Sequence, residues 1–187
     1  MRRIILSAAI MAAAFAAAGC IFEPRTADDP LAEGDPWVVP ILPKSIFYNL
    51  QTGFSSAANS NYERSLAEEF VFIARPQDWP DAPAWGKTEE LDFLTRVKGE
   101  YPAAREILFG DENMTFEREN VEVGRAEYEG LYVITLDPGG GEPVETYAGK
   151  AIFIVEKGAT GWALVSWEDV DIYETYSTST YLRRTLQ

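Results

Sequence analysis

The 187-residue chain has no histidine and one cysteine, Cys20. Without histidine there is no imidazole general base, no Ser-His-Asp or Cys-His arrangement, and no His-ligated zinc or iron. With one cysteine there is no intramolecular disulfide, so the core must hold by packing alone. P-loop, Rossmann and EF-hand patterns are absent, and no Asp/Asn ladder marks a calcium site. No metal and no cofactor is therefore expected. Positive charge is also scarce: 16 Lys and Arg stand against 30 Asp and Glu, a net charge of −14. Such a surface repels nucleic acid and anionic lipid headgroups.

The N-terminus carries the clearest positive signal. Arg2 and Arg3 precede an apolar run, Ile4 to Ala18, which ends in Ala17-Ala18-Gly19-Cys20. The run is shorter than the about 20 residues that span a bilayer, so residues 1–19 read as a secretory signal. A lone cysteine in an apolar segment is usually a small buried hydrophobe. Here its place directly after small residues resembles the lipobox of bacterial lipoproteins, with Ala17 where leucine is usual. That resemblance implies lipidation of Cys20, cleavage before it, and a domain tethered in the cell envelope. Ile21 follows the cysteine in place of the aspartate of a retention signal, which directs the protein to the outer membrane of a two-membrane host. Removing the signal takes two arginines away and leaves 14 basic and 30 acidic residues, a charge of −16. Membrane attachment then rests on the acyl chains.

Residues 20–43 read as an acidic tether. Five of the eleven prolines lie there (Pro24, Pro30, Pro36, Pro40, Pro43), with five acids against one base. Trp37, Val38 and Val39 are apolar enough for this end to dock on the domain, which is expected over 44–187. From Ser45 the period becomes helical: Ile46, Phe47, Leu50, Phe54, Ala57 and Ala58 share a face to about Asn59. A second helix is expected over Asn61–Ala67, then a strand at Phe70–Ile73. A third helix runs from Thr88 to a stop at Gly99, with Glu89 and Glu90 in its first turn favoured by the helix dipole. Strands are expected over Asn113–Glu122, Arg125–Leu136, Pro143–Glu156 and Gly161–Tyr173. Helices followed by an antiparallel meander describe an α+β domain with helices on one face of the sheet.

Several short motifs occur in order: Asn49-Leu50, Asn59-Ser60-Asn61-Tyr62, Glu69-Phe70-Val71-Phe72, Trp85-Gly86-Lys87-Thr88-Glu89-Glu90, and Trp162-x-Leu164-x-x-Trp167-x-Asp169. Their order resembles the NTF2-like (SnoaL-like, cystatin-like) cone over roughly 43–173. The resemblance implies N-terminal helices packed on a strongly bent antiparallel sheet. It leaves function open, because such cones bind small molecules, catalyse reactions or bind proteins.

Pairing the strands about the Asp137–Glu142 turn sets Leu136 opposite Pro143, Gly130 opposite Gly149 and Tyr132 opposite Tyr147. Two glycines at one level suit a sharp bend. In the next hairpin, Lys150 opposite Glu168 makes an opposite-charge pair. Period two then gathers Tyr128, Tyr132, Tyr147, Ala151, Phe153, Val165, Trp167 and Asp169 on one face. Tyr128, Tyr132, Tyr147, Trp167 and Asp169 are the candidate ligand-binding set, and Asp169 is a candidate catalytic base. A carboxylate beside a tyrosine resembles the equipment of ketosteroid isomerase-type cones. The plainer alternative makes the aromatic residues core and leaves Asp169 accepting backbone hydrogen bonds at the rim. Three readings stay open: a non-enzymatic cone that binds a small apolar ligand or an envelope protein, an isomerase or lyase, and an assembly protein with a filled cone. A homodimer is compatible with each.

Overall fold

Helix α1 (Ser45–Ser55) buries the expected stripe of Ile46, Phe47, Leu50 and Phe54. It stops four residues before Asn59. The Ser55 hydroxyl bonds back to the Gln51 carbonyl and the Ser56 hydroxyl to the Ala58 carbonyl, an alternative to continued helix that serines offer readily. These positions belong to a computed structural model that describes residues 37–111, 113–170 and 178–187. The expected signal, Cys20, most of the tether, and Asp171–Tyr173 at the end of the last expected strand lie outside the described residues. The four tether residues Trp37–Pro40 do dock on the domain. Buried Asn49 accepts from the Val38 amide at 3.0 Å and donates to its carbonyl at 2.6 Å, and the Trp162 amide donates to Pro40.

Helix α2 (Ser60–Ser65) leads directly into strand β1 (Leu66–Ile73). The two-residue strand β2 (Trp85–Gly86) pairs with β1 and abuts helix α3 (Lys87–Glu100). Gly99 lies inside α3; the helix ends at Tyr101, whose proline neighbour disfavours helical backbone. Strand β3 (Ala104–Phe109) was not expected, because Ala-Arg-Glu-Ile-Leu-Phe carries little alternation. Its pairing with β5 supplies what local pattern does not. Strand β4 (Arg118–Glu122) begins five residues later than expected: Asp111 accepts from the Asn113 and Thr115 amides and folds that stretch into a turn. Strands β5 (Arg125–Asp137), β6 (Glu145–Gly158) and β7 (Gly161–Val170) carry the inward–outward alternation read in the sequence, broken once in β7. A last helix, α4 (Ser179–Thr185), lies beyond everything the sequence reading assigned.

The seven strands form a curved open sheet, ordered β2-β1-β7-β6-β5-β3, with β4 also on β5. One pairing departs from the antiparallel expectation. Strand β1 runs parallel to β7, with Phe72 beside Trp167. Helices and buried side chains occupy one face of the sheet.

The expected register is off by two residues. Leu136 pairs with Glu145, so Gly130 faces Ala151, Tyr132 faces Gly149, and Tyr147 faces Ile134. The connection is longer because Gly139, Gly140 and Gly141 all take positive φ and push Pro143 and Val144 out of the ladder. Glu168 pairs with Ile152, and Lys150 instead binds Glu117 and Glu129 at 2.6 and 2.8 Å. A slip of two leaves every side chain on its expected face. Val165 is the exception: a bulge makes it the extra residue, and the inner face passes from Leu164 to Trp167.

The glycines keep an inward role for a different reason. A Cβ on Gly149 would stand 2.3 Å from the Tyr132 hydroxyl oxygen, and one on Gly130 would stand 3.0 Å from the Phe116 ring. Each makes room for an aromatic side chain lying across the strand. Gly149→Ala should therefore destabilise the fold by about 1–3 kcal/mol through overpacking. Chemical denaturation checks this, and an unchanged midpoint would mean that Tyr132 is not seated over Gly149.

Candidate functional site

Asp169 lies on the inner face near the end of β7, 4 % exposed. Its Oδ1 accepts from the Trp167 indole at 2.9 Å. Four donors converge on Oδ2: the Tyr132 hydroxyl at 3.1 Å, the Ser179 hydroxyl at 2.8 Å, and the Thr180 amide and hydroxyl at 2.8 and 2.7 Å. That is more than the lone pairs of one oxygen take at full strength, so the donors share it. Tyr132 is fully engaged as well, because its hydroxyl accepts the Ser179 amide at 2.8 Å. Three of these five donors belong to the first residues of α4, whose N-cap is Thr178.

A second buried carboxylate lies in the same interior. Glu90, in the first turn of α3, is fully buried and meets Arg183 of α4 in a two-pronged ion pair. Nε donates to Oε2 at 2.9 Å and Nη2 to Oε1 at 2.7 Å. The Tyr62 hydroxyl and the Trp85 indole donate to the same carboxylate at 2.8 and 2.9 Å. The guanidinium is enclosed by the rings of Phe72, Phe93 and Trp167, with centroids 4.0, 4.7 and 4.7 Å away. Burial opposes its charge, yet the Glu90 carboxylate holds the Arg183 pKa above its ordinary value. A forked pair of this kind is the strong form of charge-assisted hydrogen bond.

Of the five candidate ligand residues, three meet here: Tyr132, Trp167 and Asp169. The other two are placed elsewhere on the same face. Tyr128 packs edge-on to Phe47 and against Phe116, and the Tyr147 hydroxyl donates to Glu145, which Tyr101 also reaches. Glu90, Arg183, Tyr62, Trp85, Ser179 and Thr180 were missed. Glu90 read only as a dipole-favoured acid, because a helix's first turn does not say which face an acid takes. A signal for α4 was present in Thr178-Ser179-Thr180, good N-cap chemistry directly before Tyr181-Leu182.

Burial pushes the Tyr62 and Tyr132 hydroxyls well above their ordinary pKa, and the adjacent Glu90 and Asp169 carboxylates add to it. Above pH about 10 the neutral phenols persist only in the folded state, because unfolded tyrosines ionise near pH 10. Their contribution to stability is thus complete below pH about 10 and is lost as pH rises beyond it. A phenolate absorbance titration should show these two tyrosines ionising only with unfolding. Reversible ionisation of all tyrosines near pH 10 in folded protein would contradict the burial.

Two surface clefts flank this interior. One of about 490 Å³ is lined by Glu63, Glu68, Glu69, Lys87 and Glu89. Another, of about 230 Å³, reaches Trp85 and Phe93 beside Leu186 at the end of α4. Neither is lined by Tyr132, Trp167 or Asp169.

No protein-family model matches the sequence, and no curated protein does. Solved structures do match. A conserved protein from Planctomyces limnophilus aligns at TM-score 0.56 and 20 % identity, covering 69 % of this chain and 94 % of that one. An NTF2-like superfamily protein from Salmonella enterica aligns at TM-score 0.53 and 16 % identity, covering 71 % and 89 %. A putative scytalone dehydratase from Novosphingobium aromaticivorans aligns at TM-score 0.56 and 10 % identity, covering 72 % and 88 %. At these identities the likeness establishes the fold: the domain is an NTF2-like α+β cone.

Proposed function

We propose that this protein is a lipid-anchored, non-catalytic binding protein of the bacterial cell envelope, whose cone accommodates a polypeptide segment in place of a small apolar ligand. One observation carries this reading: the polar groups that a catalytic cone would turn on a substrate are engaged by the chain's own C-terminal helix. A general base needs a free lone pair within reach of the proton it takes. Asp169 accepts five donors, three of them from α4, and Tyr132 both donates and accepts. The pairing of Tyr132 with Asp169 is what an isomerase or lyase would need, but such an enzyme would first have to expel α4.

The anchor reading rests on Ala17-Ala18-Gly19-Cys20. Cys20→Ser removes the thiol that accepts the lipid, and a mature charge of −16 offers no second attachment to anionic membranes. The variant should move from washed membranes to the soluble fraction; its retention there would end the lipobox reading. Native mass spectrometry of protein from its own host tests the cone. The expected mass is that of the acylated chain with nothing retained, and a co-purifying apolar small molecule would refute the segment-binding reading.

A further inference from the structure

We infer that the buried Glu90 carboxylate and its ring cage form a binding site for a guanidinium group, occupied at rest by Arg183 of the chain's own C-terminal helix and open to a competing arginine or free guanidino compound. The inference rests on the segment-binding reading above and names the chemistry of the segment.

The receptor half is built without α4. Glu90 is oriented by Tyr62 from α2 and Trp85 from β2, which donate to its two oxygens. Phe72, Phe93 and Trp167 come from β1, α3 and β7, so the ring cage also stands on other elements. A carboxylate with both oxygens oriented, beside a space that three aromatic rings enclose, matches a planar, forked, weakly hydrated cation, and a primary ammonium cannot make the two-pronged pair. Preorganisation of this kind lowers the cost of accepting an occupant from outside.

The occupant is a short segment. A helix of seven residues does not hold its shape alone, so α4 exists through its docking. Residues 178–187 carry Arg183 and Arg184 and no acid, within a chain of net charge −14. Leu182 is the buried apolar anchor beside Arg183, while Tyr181 and Arg184 face outward. The 230 Å³ cleft between α3 and Leu186 reaches Trp85 and Phe93, and gives a competitor a way to the cage. Segment binding by one apolar anchor and one charged anchor is a recurrent mode of peptide recognition.

The test uses the full chain and a fluorescent decapeptide with the sequence of residues 178–187. Its anisotropy is followed with wild type, Arg183→Ala, Arg183→Lys and Glu90→Gln. Removing the resident guanidinium should raise peptide affinity about tenfold or more in Arg183→Ala. Glu90→Gln should abolish binding, and so should alanine at the arginine that matches Arg183 in the peptide. Should Arg183→Ala not fold, Arg183→Lys carries the same test, since lysine keeps the charge without the fork. Competition with ethylguanidine, against ethylamine as control, separates the two sources. Displacement supports a site that also takes free guanidino compounds, and resistance supports one confined to arginine in a polypeptide. Equal affinity for wild type and the Arg183 variants, or full binding by the alanine peptide, would overturn the inference. A retained apolar molecule in the native mass spectrum refutes the segment-binding reading itself; a clean spectrum with failed peptide competition refutes only the guanidinium.

Discussion

Arg183→Met should destabilise the domain by about 3–5 kcal/mol, because it leaves the Glu90 carboxylate buried without its counter-charge. Arg183 and Glu90 are 1 % and 0 % exposed, so solvent screens neither. The remaining donors to Glu90, Tyr62 and Trp85, are neutral and do not replace the guanidinium. Glu90→Leu should cost a similar amount for the mirror reason, an unpaired cation among aromatic rings. The double variant Glu90→Leu/Arg183→Met removes both charges and keeps apolar bulk, so it should recover most of the loss, as replaced buried pairs often do. Urea midpoints of the four proteins form a double-mutant cycle. A strong favourable coupling is expected. Additive losses would mean that the two side chains do not form the pair.

Asp169→Asn is the second large effect, expected at about 3 kcal/mol. Hydrogen bonds to a charged acceptor are worth about 1.5–3 kcal/mol each, and several act here on one carboxylate. The amide keeps the shape, but its NH₂ must face either the Trp167 indole or the Ser179 and Thr180 donors, placing donor against donor. Far-ultraviolet circular dichroism and thermal melts should show a folded but weakened protein whose α4 is loosened. An enzyme that uses Asp169 as a free base would instead keep its stability and lose activity. Unchanged stability would therefore move the account towards catalysis.

Much of the fold was legible because it is written in periods. The apolar stripe of α1 and the alternation of β5, β6 and β7 state which face is buried, and a register slip of two does not change that answer. This is why Tyr132, Trp167 and Asp169 were found together despite wrong pairing partners. What the sequence left unread depends on long-range partners. Strand β3 gains its strand character from β5, and the parallel neighbour of β1 lies about 95 residues away in sequence by the pairing of Phe72 with Trp167. Glu90 and Arg183 are 93 positions apart, and each alone has the pattern of a surface charge. The dipole supplies an ordinary reason for an acid in a helix's first turn, and Arg183 lies past the last element read from the sequence, so nothing joins the pair. Tyr147 was misplaced within the site because it shares the face of Asp169 but sits on the part of β6 that runs past the end of β7, where it reaches Glu145.

Helix α4 occupies the cone and holds its polar groups. Amide hydrogen exchange reads this directly at Ser179 and Thr180, whose N–H groups donate to Tyr132 and Asp169. Slow exchange is expected at both in wild type, through an opening that costs less than unfolding of β5 and β6, as for an exchangeable segment. That protection should be lost in Asp169→Asn and Arg183→Met while the strands stay protected. Full exchange of Ser179 and Thr180 in wild type at the earliest labelling time would contradict that placement of α4, because the helix would then not occupy the cone.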